Sequence, residues 1–377
     1  MPLLILELLI TVQQRQLQFI QIRRLGAFML DSVWNEMHSM KRQGHSRFHG
    51  YVRGFSLIEL MVSLTIGLII VIAVISAYLG SSSAARMAEA QARMNEDAQA
   101  VLNILAQQIR MAGDNPLHGT DRNSSFRYNP VYSTSYVGGA TFTYPGTLTL
   151  PGTFTLSNFS IRGCDGNFSN ITATATLDGL TCAGSTSTLP DSIAVNYEAD
   201  QFNTVATNAG AATDCLGNAL GTVTVTFPAG TATTATYAVA DNRFYLGTPT
   251  SGVPSLYCKG NGGAGTPQPL VENVEDLQFT YGTVSASNTS TTATVAGYLS
   301  AYSIVNDANL SLLPIEQRWG KVLTVRICVL VRSENPVAPD ANAAKYDDCQ
   351  GNTNVAAPDL RLRRAYTTTV VLRNRRR

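Results

Sequence analysis

One carboxylate, Glu59, interrupts a run of apolar and small residues that extends from Phe55 to Leu79. A lone ionised carboxyl in hydrocarbon costs several kcal/mol and tends to take up a proton. Glu59 therefore calls for a nearby counter-charge or a headgroup within reach. Elsewhere, catalytic chemistry has little to work with. From Phe55 onward the sequence holds one histidine, His118, in a turn-like segment. Histidine-based triads and multi-histidine metal sites are accordingly excluded. No G-x-S-x-G, Walker A loop or C-x-x-C occurs. In "DGNFSN", Asp165, Asn167 and Ser169 space their oxygens loosely as a calcium loop does, but the completing bidentate acid is missing. The sequence thus points to no enzyme, cofactor or metal.

The elements that carry these residues follow from charge and hydropathy. The chain has 377 residues, 14% of them charged, with a net charge of +1. That length can bury a sizeable core in one or two domains, and that balance argues against a whole-protein nucleic-acid footprint. Residues 1–54 carry Lys41 and six arginines against Glu7, Asp31 and Glu36. The apolar run behind this basic flank is long enough to cross a hydrocarbon core of about 30 Å. Positive flanks stay cytoplasmic, so the chain from about Gly80 onward is expected outside the cytoplasm. All six cysteines (Cys164, Cys182, Cys215, Cys258, Cys328 and Cys349) lie beyond the span. An even number in an exported segment suggests disulfides, the bland alternative being reduced buried thiols.

A secretory signal places small residues after its apolar core. Here Gly54 precedes the core and Phe55 follows it directly. Gly54-Phe55-Ser56-Leu57-Ile58-Glu59-Leu60 resembles the type III signal of type IV prepilins and type II secretion pseudopilins. The resemblance implies that a prepilin peptidase cuts between Gly54 and Phe55 and methylates the new N-terminus at Phe55. It further implies that Glu59 pairs with the N-terminal amine of an adjacent subunit and sets axial register. The alternative for Glu59 is an interfacial acid that reaches headgroups. Residues 1–54 make a long leader. Met40-Lys41-Arg42-Gln43-Gly44 would start one of ordinary length, and residues 1–39 are then expected to be a start-site artefact.

Past the span, Gly80-Ser81-Ser82-Ser83 reads as a weak spot for a helix. The pattern then resumes. Met87, Met94, Ala98, Val101, Leu102, Leu105 and Ile109 recur at spacings of three and four, an amphipathic helix over 80–112. Gly113 to Pro116 end it. From Phe55 to Ala112 such a helix would extend about 85 Å. The head, 113–377, alternates β-branched and polar residues. "TFTLSNFSI", "TATATL", "SIAVNY", "TVTVTF", "TATTATY", "KVLTVRICVLVRS" and, from Thr367, "TTTVVL" read as strands. One long helix followed by runs of strands suggests an α+β architecture with an antiparallel sheet in the head, and the prepilin resemblance implies that this fold is pilin-like.

"QPLVENVEDLQFTYG", "WGKVLTVRICVLVRSE" and "RLRRAYTTTVVLRNR" resemble the C-terminal half of PilW-type minor pilins, with residues between 113 and 268 matching loosely. Locality and the paired cysteines usual in that family favour Cys164–Cys182, Cys215–Cys258 and Cys328–Cys349, each worth about 3–4 kcal/mol of chain entropy. The resemblance implies a minor pilin that helps prime pilus assembly at or near the tip. Its implied partners are other minor pilins, the major pilin and a tip adhesin. Adhesion, twitching motility or DNA uptake would follow. Two alternatives stand beside it: a type II secretion pseudopilin, and a membrane-tethered periplasmic binding or hydrolytic domain. Arg361, Arg363, Arg364, Arg373, Arg375, Arg376 and Arg377 form a basic cluster that could meet nucleic acid. The bland reading is a solvated sheet edge whose charges resist aggregation.

Overall fold

The computed structural model describes residues 56–113, 159–172, 177–184, 189–226, 234–249, 252–285, 294–311, 313 and 315–373. The leader, Gly54, Phe55, His118, residues 153–158 of "TFTLSNFSI" and Arg375–Arg377 lie outside these. The chain divides into two compact units, Met1–Val74 and Ile75–Arg377.

Helix α1, Leu57–Met111, begins in the first unit and ends in the second. It runs through Gly80–Ser83, where a break was expected, and Ser83 Oγ donates to the Gly80 carbonyl at 2.9 Å. A serine hydroxyl that bonds back within its own helix is satisfied without leaving it. Within the second unit Met94, Ala98, Val101, Leu105, Ala106 and Ile109 are buried, three and four residues apart as an apolar stripe must be. Met87 and Leu102 of the expected stripe are only half-buried. Gly113, with φ +87°, ends the helix and donates its N–H to the Asn196 carbonyl at 3.1 Å.

The head holds two antiparallel sheets where one was expected. The first contains β1 (Ile161–Cys164), β2 (Ser192–Ala199), β3 (Thr222–Thr226), β4 (Thr234–Gly247), β5 (Ser255–Lys259) and β6 (Gln268–Glu272). Its order is β1-β2-β4-β5-β6, with β3 also on β4. Ala238 of β4 pairs with Ala199 of β2 and with Thr222 of β3, so β2 and β3 flank β4 on opposite edges. The second sheet has the order β10-β9-β7-β8, from β7 (Val274–Thr283), β8 (Gly297–Leu299), β9 (Val322–Arg332) and β10 (Arg363–Val371). Short helices α2 (Ala301–Asn306) and α3 (Ile315–Gly320) lie between β8 and β9.

One residue separates the sheets. Asn273, between β6 and β7, has φ 62° and accepts the Arg332 N–H at 3.0 Å. Asparagine tolerates that left-handed conformation better than most side chains, so the chain can swing from one sheet to the other there. Register in the second sheet puts Phe279 opposite Ile327, Leu277 opposite Val329 and Tyr281 opposite Val325, all buried. This is what period-two alternation requires when one face meets a core. Of "TATATL", residues 173–176 lie outside the described residues, and Leu177 is buried in a 3-10 turn, Leu177–Gly179. The last strand starts at Arg363 rather than Thr367, because Arg363 pairs with Arg332 and Arg364 with Val331.

Asp191, just ahead of β2, joins the two sheets. Its N–H donates to Leu277 at 2.6 Å, and its Oδ2 accepts the Phe279 N–H at 2.8 Å, both on β7. Its Oδ1 accepts the Gly166 N–H at 3.1 Å. Nearby Tyr281 occupies the space a side chain at 163 would need: a Cβ on Gly163 would lie 1.9 Å from its hydroxyl. Burial pushes the Asp191 carboxyl up to about 8, Asp165 and Asp276 push the same way, and the two N–H bonds pull against them. The folded value thus exceeds the unfolded one of about 4. Asp191 contributes most to stability below pH ~4, and that contribution falls as pH rises toward ~8. Thermal unfolding of wild type and Asp191→Asn should therefore differ most at pH ~4, the gap narrowing toward pH ~8. A gap that stays constant with pH would remove Asp191 as the cause.

Candidate functional site

Function has to be sought where the fold leaves something undone, and the largest such region is the first half of α1. From Leu57 to Leu79 every residue is exposed. An eighteen-residue window in α1 reaches a mean hydropathy of 2.7 with none of it buried. Water is a poor environment for such a surface at about 25 cal/mol per Å². Its polar groups are arranged for a dry one. Ser63 Oγ donates to the Leu60 carbonyl at 3.0 Å and Thr65 Oγ1 to the Val62 carbonyl at 2.9 Å. These hydroxyls need no outside partner.

Glu59 sits in the first turn, where the Leu60 N–H already reaches the Ser56 carbonyl at 3.1 Å. A negative charge is favoured at a helix N-terminus. Among the described residues no hydrogen bond or ion pair holds its carboxylate. Gly54 and Phe55 lie just outside the described residues, so the cleavage site has no geometry here.

In the head, the cysteines form Cys164–Cys182, Cys215–Cys258 and Cys328–Cys349, with Cα separations of 5.5, 6.5 and 5.6 Å. None is free. The first fastens the turn after β1, the second ties the segment after β2 to β5, and the third pins the 333–362 connection to β9.

The basic C-terminal cluster is partly consumed by the fold. Arg363, its side chain 2% exposed, donates through Nε to Glu275 Oε2 and through Nη1 to Asp359 Oδ1, both at 2.6 Å. Arg332 reaches Glu275 Oε1 at 3.2 Å, and Arg361 reaches Asp359 Oδ2 at 3.4 Å. A bulge between Val274 and Asp276 brings Glu275 to these guanidinia. Among the described residues of the cluster, Arg364 and Arg373 remain exposed.

The loose calcium loop has another use. Asp165 is buried and its two oxygens accept the N–H groups of Ala301 at 2.8 Å and Tyr302 at 3.2 Å, at the start of α2. Among the described residues no group of three or more His, Cys, Asp or Glu is placed to hold a metal. A cavity of about 490 Å³ is lined in part by Glu275, Asp276, Asp348 and Gln350. Its carboxylates are spent on Arg332 and Arg363, on Gln278 and Gln350, and on the turn around Asn352.

Sequence reasoning missed two amides on α1. Gln108 Oε1 accepts from Asn242 Nδ2 at 2.8 Å and from the Tyr197 hydroxyl at 3.2 Å. Burial pushes the Tyr197 phenol up to about 12, although those amide bonds lower it. Asn95 Oδ1 accepts the Tyr366 hydroxyl at 2.5 Å. The helix is thereby tied to β2 and β4 of one sheet and β10 of the other. The available signal was an uncharged amide beside the apolar stripe, a type that can enter a core when partnered.

Comparison with known proteins follows this division of the chain. Residues 50–75 match the family model described as the prokaryotic N-terminal methylation motif. Residues 243–374 match that of type IV pilus-assembly protein W. Among solved structures, the chain is similar to a type IV-like pilin from Thermus thermophilus, at 12% identity over 50% of this chain and 80% of that one, with a TM-score of 0.24. No curated protein matches the chain.

Glu275, Arg332, Asp359 and Arg363 all fall within the matched segment 243–374. Arg363→Ala leaves Glu275 and Asp359 without their shared cation in a half-buried setting. We expect a loss on the order of 3 kcal/mol, measured as a lower urea midpoint for the full chain in detergent. Arg364→Ala, on the exposed side of the same strand, should stay within about 0.5 kcal/mol of wild type. Equal effects from the two would dismiss the network as a structural tie.

Proposed function

We propose that this chain, which joins a prepilin methylation motif to a type IV pilus-assembly domain of the PilW family, works as a minor pilin that helps prime pilus assembly at or near the tip. The observation that carries this reading is the exposed apolar half of α1 with its single carboxylate. Before assembly that half sits in the inner membrane, with the head outside the cytoplasm. The basic leader and the paired cysteines support that orientation. Prepilin peptidase removes residues 1–54 after Gly54 and methylates Phe55, and the subunit then moves from lipid into a bundle of like helices.

Helices of this kind slide along one another easily, because apolar burial is nearly blind to register. A carboxylate–amine pair is not, since a slip of one turn leaves both charges unpaired in low dielectric. Glu59 would thus fix the axial position of this subunit against the amine of a neighbour. Filament contacts are heterologous, so the same rule passes from one subunit to the next. The partners are other minor pilins, the major pilin and a tip adhesin. The pilus then serves adhesion, twitching motility or DNA uptake. A pseudopilin of type II secretion would use the same helix. The segment matched to the pilus-assembly family favours the pilin.

Two outcomes test this reading. Mass spectrometry of membrane fractions should find N-methyl-Phe55 at the mature N-terminus, and a bulky residue in place of Gly54 should block processing. An intact leader, or a cut beyond Leu79, would be incompatible with it. Glu59→Val should insert and be cleaved normally, because the span becomes more apolar. It should fail to co-purify with partner pilins, and surface pili should fall sharply in number. Normal association and normal piliation would reduce Glu59 to an interfacial acid.

A further inference from the structure

Six Asn-x-Ser/Thr triplets occur, at Asn123, Asn158, Asn167, Asn170, Asn288 and Asn309. Such triplets are acceptors for N-linked glycans on exported surfaces. Three of them, at Asn123, Asn167 and Asn309, also carry an aspartate two residues ahead: Asp121, Asp165 and Asp307. Asn167, Asn170 and Asn309 belong to the described residues, and their surroundings separate them.

Asn170 is spoken for. Its Nδ2 donates to the Gly179 carbonyl at 2.8 Å and its Oδ1 accepts the Thr181 N–H at 2.9 Å. Asn167 is exposed, but its neighbours are locked. Asp165 is buried under α2, Phe168 is buried and bridged to Cys182, and the Ser169 hydroxyl faces Thr181. Asn309 differs in the exposure of its turn and in its unengaged side-chain amide, although the Ser311 hydroxyl donates to the Ala308 carbonyl at 2.7 Å. Asn309 and Ser311 are exposed and Asp307 is half-exposed. The Asp307 Oδ1 accepts the Asn309 N–H at 2.7 Å, while among the described residues nothing engages its Oδ2 or the Asn309 side-chain amide. The turn follows α2, a helix of six residues that ends at Asp307. An enzyme that extends the 307–311 segment has to release Leu310 from the core, the Arg318 Nη2 bond to the Ser311 carbonyl at 3.0 Å and the Ser311 hydroxyl from Ala308, a local opening of one turn.

We propose that Asn309 is modified with an N-linked glycan outside the cytoplasm. This inference rests on the export of the head argued above. The donor is a lipid-pyrophosphate-linked oligosaccharide and the catalyst a membrane oligosaccharyltransferase. Asn309 Nδ2 bonds to the anomeric carbon, the bond from that carbon to the pyrophosphate oxygen breaks, and lipid pyrophosphate leaves. The displaced amide proton goes to a base on the transferase. The open Asp307 carboxylate and the Ser311 hydroxyl are the groups a transferase would read on either side. A glycan here would stand on the solvent side of the turn, with Leu310 as its inward anchor.

The test is peptide mass spectrometry of the full chain recovered from its own cells. A glycan-sized increment should be found on the peptide containing Asn309. It should vanish in Asn309→Gln and Ser311→Ala, persist in Ser311→Thr, and fall several-fold in Asp307→Ala. The Ser311 hydroxyl also bonds the Ala308 carbonyl at 2.7 Å, so the deciding readout is the glycan mass on Asn309, which no structural role of the turn produces. The same digest reports the disulfides and the mature N-terminus. An unmodified Asn309 in a chain with three disulfides and a processed N-terminus overturns this inference and leaves the pilin reading standing. An unmodified Asn309 in a chain with free thiols and an intact leader overturns both.

Discussion

A helix apolar on every side from Leu57 to Leu79 and apolar on one stripe from Met94 to Ile109 has to be kept from water in two ways. The second stretch meets its own chain, and its six buried residues enter the common core. The first meets nothing of its own among the described residues. At about 0.8 kcal/mol per buried CH2 its demand for cover is large, and in the function proposed above lipid and then other helices supply it. The remaining features of the molecule are arranged around that division. The head is fastened to α1 through Gln108 and Asn95, one partner set in each sheet, and it is closed by three disulfides.

The head has its own weak point, the junction of its two sheets. Only Asn273 separates β6 from β7, and a chain that changes sheets so abruptly leaves the two halves to be held by side chains. Asp191 supplies one such tie through two backbone partners on β7. On the other side of β7, Glu275 gathers Arg332 and Arg363 and so binds β9 and β10 to the bulge. Both ties use carboxylates with donors in place. These acids are taken up by the fold.

Much of this was legible in the residues. The motif matched over residues 50–75 could be read because glycine before an apolar core, and one acid inside it, break an otherwise simple pattern. Met94, Ala98, Val101, Leu105 and Ile109 could be read because helical spacing maps directly onto one face. Other features were hidden by their causes. The passage through Gly80–Ser83 depends on the flanking helix and on a serine that bonds back within it, and local propensity carries neither. Arg363 and Arg364 concealed the start of β10, since a buried arginine is tolerated only where Glu275 and Asp359 wait, and those lie far away in sequence. The split into two sheets hung on one residue, Asn273, whose positive φ carries no mark in composition.

The central claim is that one half of α1 is a surface for other molecules and the other half is a spine for its own head. Site-specific photo-crosslinking in cells measures this directly, with the photoreactive group placed at Leu64 in one variant and at Leu105 in another. The account predicts adducts from Leu64 to lipid and to other pilus subunits, and from Leu105 only within the same chain. Adducts from Leu105 to other subunits, with none from Leu64, would contradict it.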